Sequence, residues 1–431
     1  MQTLGIGLAG LGNVGAGVFK HLTQNRALLR ERLGTDLEVR KIAIRDPMKR
    51  RDPSVPEALL TTRAEDLLDD PSIQIIVELM GQKELSLALI LGALERGKVV
   101  VTGNKALLAE HGQEIFATAT RCKVPIFFEA AVAGGIPIIK AIRESFIGNH
   151  IRSIHGIING TSNYILTRMT EAGLGFNEAL SEAQEAGYAE ADPSLDINGG
   201  DAAHKAVILA SLAYGFWIPT SNVFVEGIEQ ITAGDISFAR KLGYAIKLLG
   251  IIKADDQGKI EVRVHPTLIP KDHVLASVNG VFNALAVHGD IVGESLFYGR
   301  GAGQDPTTSS IIADLADATV ALLSPRSNYG FIPHQLYGTC LPIDQIVSEY
   351  YLRLSVSDRP GVIAQIAGIL GDGAIGISSI FQPEGEDGEV VELVLLIHKA
   401  TNAQMTVALE KIADLSCVKK IPRLIRVENF S

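Results

Sequence analysis

The sequence predicts an α/β protein built on a doubly wound parallel sheet, with two further domains behind it. Three observations carry this prediction. Short apolar runs alternate with helical stretches over residues 1–136, a mixed α+β pattern replaces them after Pro137, and a βαββαβ order closes the chain from residue 349. At about 150 residues per domain, 431 residues correspond to roughly three domains. With 47% apolar and 20% charged residues, wholesale disorder is excluded.

The elements follow in order. Residues 3–9 form an apolar run, a glycine cluster follows, 14–29 shows helical spacing, and 38–44 reads as a second strand, which completes a βαβ unit. Apolar runs at 73–79, 98–102 and 125–128 alternate with helical stretches at 85–96 and 105–121. Beyond Pro137 come a helix at 177–185, a glycine- and acid-rich loop at 187–201, an apolar helix at 202–214, and strands at 259–266 and 280–287. Residues 300–325 are expected to return as a helix against the first domain. The turn-rich stretch 326–348 reads as a linker, and 349–431 as a ferredoxin-like module.

Composition also excludes classes of function. The net charge of −10 repels a phosphate backbone, so no nucleic-acid partner is expected. The apolar stretch 125–142 is interrupted by Glu129, Gly134, Gly135, Pro137 and Lys140, and the first ten residues carry no basic segment, so neither a membrane span nor a signal peptide is expected. Cys122, Cys340 and Cys417 lie far apart, giving neither metal-ligand spacing nor a disulfide framework; a reducing cytoplasm fits. The apolar excess suits a subunit interface.

The glycine cluster is G-L-G-N-V-G: Gly10, Gly12, Asn13, Val14 and Gly15 between a strand and a helix. In a Rossmann-type dinucleotide site the first glycine permits the tight turn, the second lets backbone approach pyrophosphate, and the third lets helix and strand pack closely. After the second strand, Arg45, Lys49, Arg50 and Arg51 replace a lone acid; Arg45 suits a 2′-phosphate and favours NADP. Asp46 leaves NAD open, and a solvated basic loop is the other reading.

Two lysines stand out. Lys105 follows the strand 98–102, at a carboxyl end where doubly wound sheets bind ligands; otherwise it is a surface lysine at a helix start. Glu190, Asp192, Asp196 and Asp201 precede Lys205, and in a helix Asp201 and Lys205 share a face. A partly buried lysine has a lowered pKa and can act as a base, while a plain i,i+4 ion pair is the alternative.

The block from Ala183 through Gly187-Tyr188, Asp192-Pro193 and Asp196-Ile197-Asn198-Gly199-Gly200-Asp201 to Lys205 resembles the signature of homoserine dehydrogenases. Val77 to Gly81, Thr102 to Lys105, Glu129 to Pro137, Gly160 to Tyr164 and Gly301 to Gly303 are similar to its other motifs, in order. The resemblance covers residues 1 to about 325. It implies reversible NAD(P)-dependent interconversion of L-homoserine and L-aspartate 4-semialdehyde. Lys105 and Lys205 would be catalytic, Glu190, Asp196 and Asp201 would bind substrate or hold those lysines, and Thr161 and Asn163 would bind substrate. Lys105 and Gly303 would lie at the cofactor, and a monovalent cation, sodium or potassium, would sit on Glu129, Val132, Gly134 and Ile136. On this reading 1–136 with 300–325 bind the nucleotide, and 137–299 form the catalytic and dimerisation domain of a homodimer or homotetramer. Gln82, Gly103, Arg300 and Gln304 depart from the family pattern.

Asp358-Arg359-Pro360-Gly361-Val362, at a strand-to-helix turn, is similar to ACT domains. That resemblance implies an amino-acid effector, threonine, near Asp358 and Gly361; a module that only dimerises is the alternative. Two other functions stay open: a non-catalytic sensor of cofactor and amino acid, and a dehydrogenase of another small amino or hydroxy acid.

Overall fold

The computed structural model describes residues 3–49, 52, 54–324, 331, 333–382 and 390–430. The chain forms two compact units: Met1–Ile154 with Ala203–Ser221 and Asn283–Gly338, and His155–Ala202 with Asn222–Phe282 and Thr339–Ser431.

The first unit is built on six parallel strands: β1 (Thr3–Ala9), β2 (Asp36–Ala43), β3 (Leu60–Thr61), β4 (Ile75–Glu78), β5 (Val99–Thr102) and β6 (Ile126–Phe127), in the order β3-β2-β1-β4-β5-β6. Every residue of β4 and β5 is buried, which explains continuous apolar runs such as Val99-Val100-Val101 in place of alternation. Strand order reverses between β1 and β4, and at such a point the carboxyl ends of the strands open a crevice for ligand. The helical stretch expected over 14–29 is broken at Asn25 into Asn13–Gln24 and Arg26–Leu33, and Gly34, in the left-handed region at φ 65°, ends the second helix.

The long helix Gln304–Leu323 packs against Asn13–Gln24. A Cβ on Gly17 would lie 2.5 Å from Thr308 Oγ1, so glycine there permits the close approach.

In the second unit, Tyr244–Ala254 and Lys259–Pro270 form a long antiparallel pair. Lys259–Pro270 also pairs in parallel with the last strand of the chain, Arg423–Val427, through Thr267↔Arg426 and Leu268↔Val427. From there the sheet continues through Val347–Ser357, Val390–Thr401 and Ile377–Phe381. With helices Val362–Asp372 and Asn402–Ala413 these strands give the βαββαβ order, around a core that includes Tyr350, Leu352, Ile366, Leu393, Met405 and Ile412. Among the described residues, no helix is long and apolar enough to cross a membrane.

Candidate active site

The glycine turn after β1 separates internal from external demands. Gly10 sits at φ 101°, and a Cβ there would lie 2.6 Å from the Leu79 carbonyl oxygen; one on Gly15 would lie 2.1 Å from that of Gly10. A Cβ on Gly12 meets no protein atom within 4 Å, so the chain itself makes no demand for glycine there. Gly12 caps the helix Asn13–Gln24 without a side-chain bond, and its first turn holds no acid. Its leading N–H groups therefore suit a pyrophosphate. Gln304 Nε2 donates to the Asn13 carbonyl at 2.7 Å, so this departure from the family pattern braces the turn. Beyond β2, Arg45 and Lys49 are exposed, while Asp46 Oδ1 accepts the Met48 N–H at 2.8 Å in its own turn. Arg50 lies outside the described residues.

Lys105 opens the helix Lys105–Cys122, and buried neighbours fix where that helix starts. Glu78, fully buried, accepts from Ser86 Oγ at 2.7 Å, Thr102 Oγ1 at 2.7 Å and Met80 N at 2.8 Å. Burial raises its pKa. Thr102 Oγ1 accepts the Asn104 N–H at 3.0 Å, and Asn104 Oδ1 caps the helix through Leu107 N at 3.2 Å. Sequence reasoning gave Glu78 no role, although a carboxylate ending an apolar strand was a visible signal. Space does not require Gly103 to be glycine, since a Cβ would stand 3.4 Å from that of Ala130.

Glu129 is 4% exposed; its two carboxylate oxygens accept the N–H groups of Ile139 and Lys140 at 2.9 and 2.8 Å, and burial pushes its pKa up to about 7. Its own N–H donates to the buried Asp314 Oδ2 at 2.8 Å. Ala133 at φ 52° and Gly134 at φ 33° turn the following chain in the left-handed region, a strained conformation for alanine. Gly135 N donates to the Arg300 carbonyl at 3.0 Å, so the 129–137 loop and the 300–303 run, distant in sequence, meet. Ser310 Oγ donates to the Gly134 carbonyl and Ile138 N to that of Ile136, which leaves each oxygen a second lone pair. That donor chemistry fits a monovalent cation.

In the second unit, Asn159 joins two predicted carboxylates. Its Oδ1 caps the helix Gly160–Ala172 through Ser162 N at 2.8 Å, and its Nδ2 donates to Asp196 Oδ1 at 2.7 Å and Asp201 Oδ2 at 2.9 Å. Thr161 Oγ1 donates to the Tyr188 carbonyl at 2.7 Å and Gln184 Nε2 to that of Glu190 at 3.2 Å, while the Glu190 side chain is exposed. The helix Gly200–Tyr214 carries Asp201 in this unit and, one turn on along the chain, Lys205, which belongs to the first unit; each is 7% exposed.

Residues 10–129 match the family model described as homoserine dehydrogenase, NAD binding domain, and residues 137–316 the one described as homoserine dehydrogenase. The chain belongs to the homoserine dehydrogenase family. The homoserine dehydrogenases of Pseudomonas aeruginosa and Neisseria gonorrhoeae are 44% and 43% identical to it, over 100% of both chains in each case. The crystal structure of the homoserine dehydrogenase from Thiobacillus denitrificans, 43% identical, superposes with a TM-score of 0.93 over 100% of this chain and 99% of that one. A hyperthermophilic archaeal homoserine dehydrogenase in complex with NADPH, 27% identical, has a TM-score of 0.64 over 76% of this chain and all of its own. The chain is thus an NAD(P)-dependent oxidoreductase with homoserine dehydrogenase activity on a Rossmann-type sheet.

One expected substrate ligand makes its bonds within the protein. Asn163 is 1% exposed, and its Nδ2 donates to the carbonyls of Val278, Gly280 and Phe282 at 3.1, 3.0 and 3.2 Å. Its amide nitrogen is committed to that loop, so Asn163 positions backbone here. Lys247, which sequence reasoning missed, donates to Asn163 Oδ1 at 3.3 Å, to Asn279 Oδ1 at 2.9 Å and to the Val278 carbonyl. Nothing in the apolar run around it marked a buried lysine.

Proposed function

We propose that the enzyme oxidises the γ-hydroxyl of L-homoserine to L-aspartate 4-semialdehyde, and runs the reverse reaction, with NADP preferred over NAD. The observation that carries this reading is the pair of carboxylates gathered by Asn159, one of them a helical turn before Lys205. When bound, the nicotinamide accepts the hydride that leaves the hydroxyl-bearing carbon. The substrate ammonium is recognised by Asp196, Asp201 and Glu190, with Thr161 holding the loop that carries Glu190. Lys105 and Lys205 take and return the hydroxyl proton and steady the oxygen as the carbonyl forms.

Gly10, Gly12, Asn13, Val14 and Gly15 hold the pyrophosphate at the helix start, Gly303 borders the nicotinamide, and the exposed Arg45 and Lys49 meet the 2′-phosphate. Glu129 with the carbonyls of Val132, Gly134 and Ile136 holds a sodium or potassium ion that stiffens the loop between two motifs. Residues 1–136 with 300–325 serve the cofactor, 137–299 the chemistry, and 349–431 bind threonine as a feedback inhibitor. A cavity of about 410 Å³ lined by Val356 to Ile363 and Gln382 supports that effector assignment. Assembly as a homodimer or homotetramer in the cytoplasm completes the reading; the cysteines are unpaired.

Formation of reduced nicotinamide, followed by absorbance, tests it. The expected order is homoserine far above serine, threonine and malate, and NADP above NAD. Lys205→Ala should lower turnover by roughly 10²–10⁴ while cofactor binding persists. Near-normal turnover would overturn the assignment. Arg45→Ala should lower the NADP-to-NAD efficiency ratio about tenfold, the value of one charged contact to phosphate; an unchanged ratio removes Arg45 from the site.

A further inference from the structure

In the second unit, the strands Lys259–Pro270, Val347–Ser357 and Arg423–Val427 meet around two buried arginines that the proposed chemistry does not use. Arg263 is 2% exposed and Arg426 5%. Arg263 pairs with Glu428 and Glu261, each at 3.3 Å, and Lys253 joins Glu428 at 2.7 Å. Arg426 and Arg423 share Glu226, each at 3.2 Å. Four cations therefore face three carboxylates in ion-pair range among the described residues, an excess of one positive charge beside the buried Arg263 and Arg426, with Lys253 30% and Arg423 14% exposed at the edge of the group. Burial holds the neighbouring His155 and His265 in their neutral forms, so neither changes that count at neutral pH.

Donors are also left over. The Nε atoms of Arg263 and Arg426 have no hydrogen-bond partner among the described residues, and the hydroxyl of the fully buried Tyr350, beside Ser348 and Arg426, has no acceptor for its proton there. They converge. Tyr350 and Arg426 are register partners on adjacent strands, and Arg263 Nη1 donates at 3.1 Å to Ser348 Oγ, two residues before Tyr350 on the same strand. The Arg426 guanidinium lies 4.4 Å over the ring of Phe224, itself the register partner of Arg263.

We propose that Arg263, Arg426 and Tyr350 form a binding site for one small monovalent anion of chloride's size and charge. The anion supplies the missing negative charge and accepts from the three unpaired donors. It ties together the strands through which the C-terminal βαββαβ segment joins the rest of the unit. This does not depend on which substrate the enzyme turns over.

The test uses the full-length protein, unfolded thermally in potassium chloride, bromide or gluconate at one ionic strength, so that the cation is constant. Chloride and bromide should raise the Tm above that in gluconate and saturate as a single site does. Crystals soaked in bromide should show an anomalous peak between the two Nε atoms and the Tyr350 hydroxyl. Arg426→Gln should abolish the halide effect. Should that variant fail to fold, Tyr350→Phe, which removes one hydroxyl and keeps the ring, should weaken halide affinity about tenfold, the worth of one hydrogen bond to a charged group. Identical Tm values in all three salts, a halide response unchanged in Tyr350→Phe, or a site without a bromide peak would overturn the proposal in favour of water on these donors.

Discussion

At the residue scale, the first cofactor turn contains two glycines with different reasons to be glycine. At Gly15 an added Cβ would collide with the Gly10 carbonyl at 2.1 Å, whereas at Gly12, φ −80° and ψ −159°, it meets nothing. Gly15→Ala is expected to lower the Tm because the turn must open. Gly12→Ala should leave the Tm unchanged and weaken NADP binding, since the methyl group occupies only the space the pyrophosphate needs. Titration calorimetry beside thermal unfolding separates the two, and a Gly12→Ala protein that binds cofactor normally would remove this turn from the site. Gly10, Gly12, Gly15, Lys105 and Lys205 were legible in the sequence because each stands at fixed spacing from a strand end or a helical partner. Asn159 directly precedes the motif Gly160 to Tyr164. Its bonds to Asp196 and Asp201, 37 and 42 residues away, belong to the folded chain alone.

At the scale of elements, the strand Tyr244–Ala254 shows what periodicity hides. Ile246 to Ile252 are buried without interruption, so the strand has no period of two and its sequence suits a helix equally well. On it Lys247, 4% exposed, holds the loop at Val278–Asn279, and burial lowers its pKa to about 8. Below that pH the ammonium is charged both folded and unfolded, and its burial weakens the fold. Between about 8 and the unfolded lysine value of about 10.4, the unfolded chain binds the extra proton, so stability rises with pH, by about 3 kcal/mol across the window. The difference in unfolding free energy between the wild type and Lys247→Met should therefore grow in favour of the wild type from pH 8 to 10. A difference curve flat over that range would show that Lys247 titrates normally.

At the scale of the whole chain, the C-terminal segment was legible as a fold but not as an attachment. Its strands, helices and the Asp358–Gly361 turn follow local signals. The pairing of Arg423–Val427 with Lys259–Pro270 rests on two register pairs between segments far apart in sequence, and no local pattern encodes such a contact. The attachment is reinforced by Arg353, whose Nε donates at 2.6 Å to the fully buried Asp235 of the helix Ala233–Lys241, and by the bonds of Glu428 to Arg263 and Lys253. Removing either member of such a pair strands a buried charge, at about 3–5 kcal/mol each. A chain cut before Thr339 therefore takes Arg353 from Asp235 and Glu428 from Arg263 together and exposes the flank of Lys259–Pro270, so it should be recovered insoluble or inactive and not as an unregulated enzyme. The proposed regulation is better tested at the cavity lined by Val356 to Ile363, where Gln382 Nε2 donates to Asp358 Oδ1 at 3.0 Å. Asp358→Ala should keep wild-type homoserine oxidation and lose inhibition by millimolar threonine. A truncated chain with full, threonine-insensitive activity would show that the shared sheet contributes little to the catalytic half, and unchanged inhibition of Asp358→Ala would place the effector elsewhere.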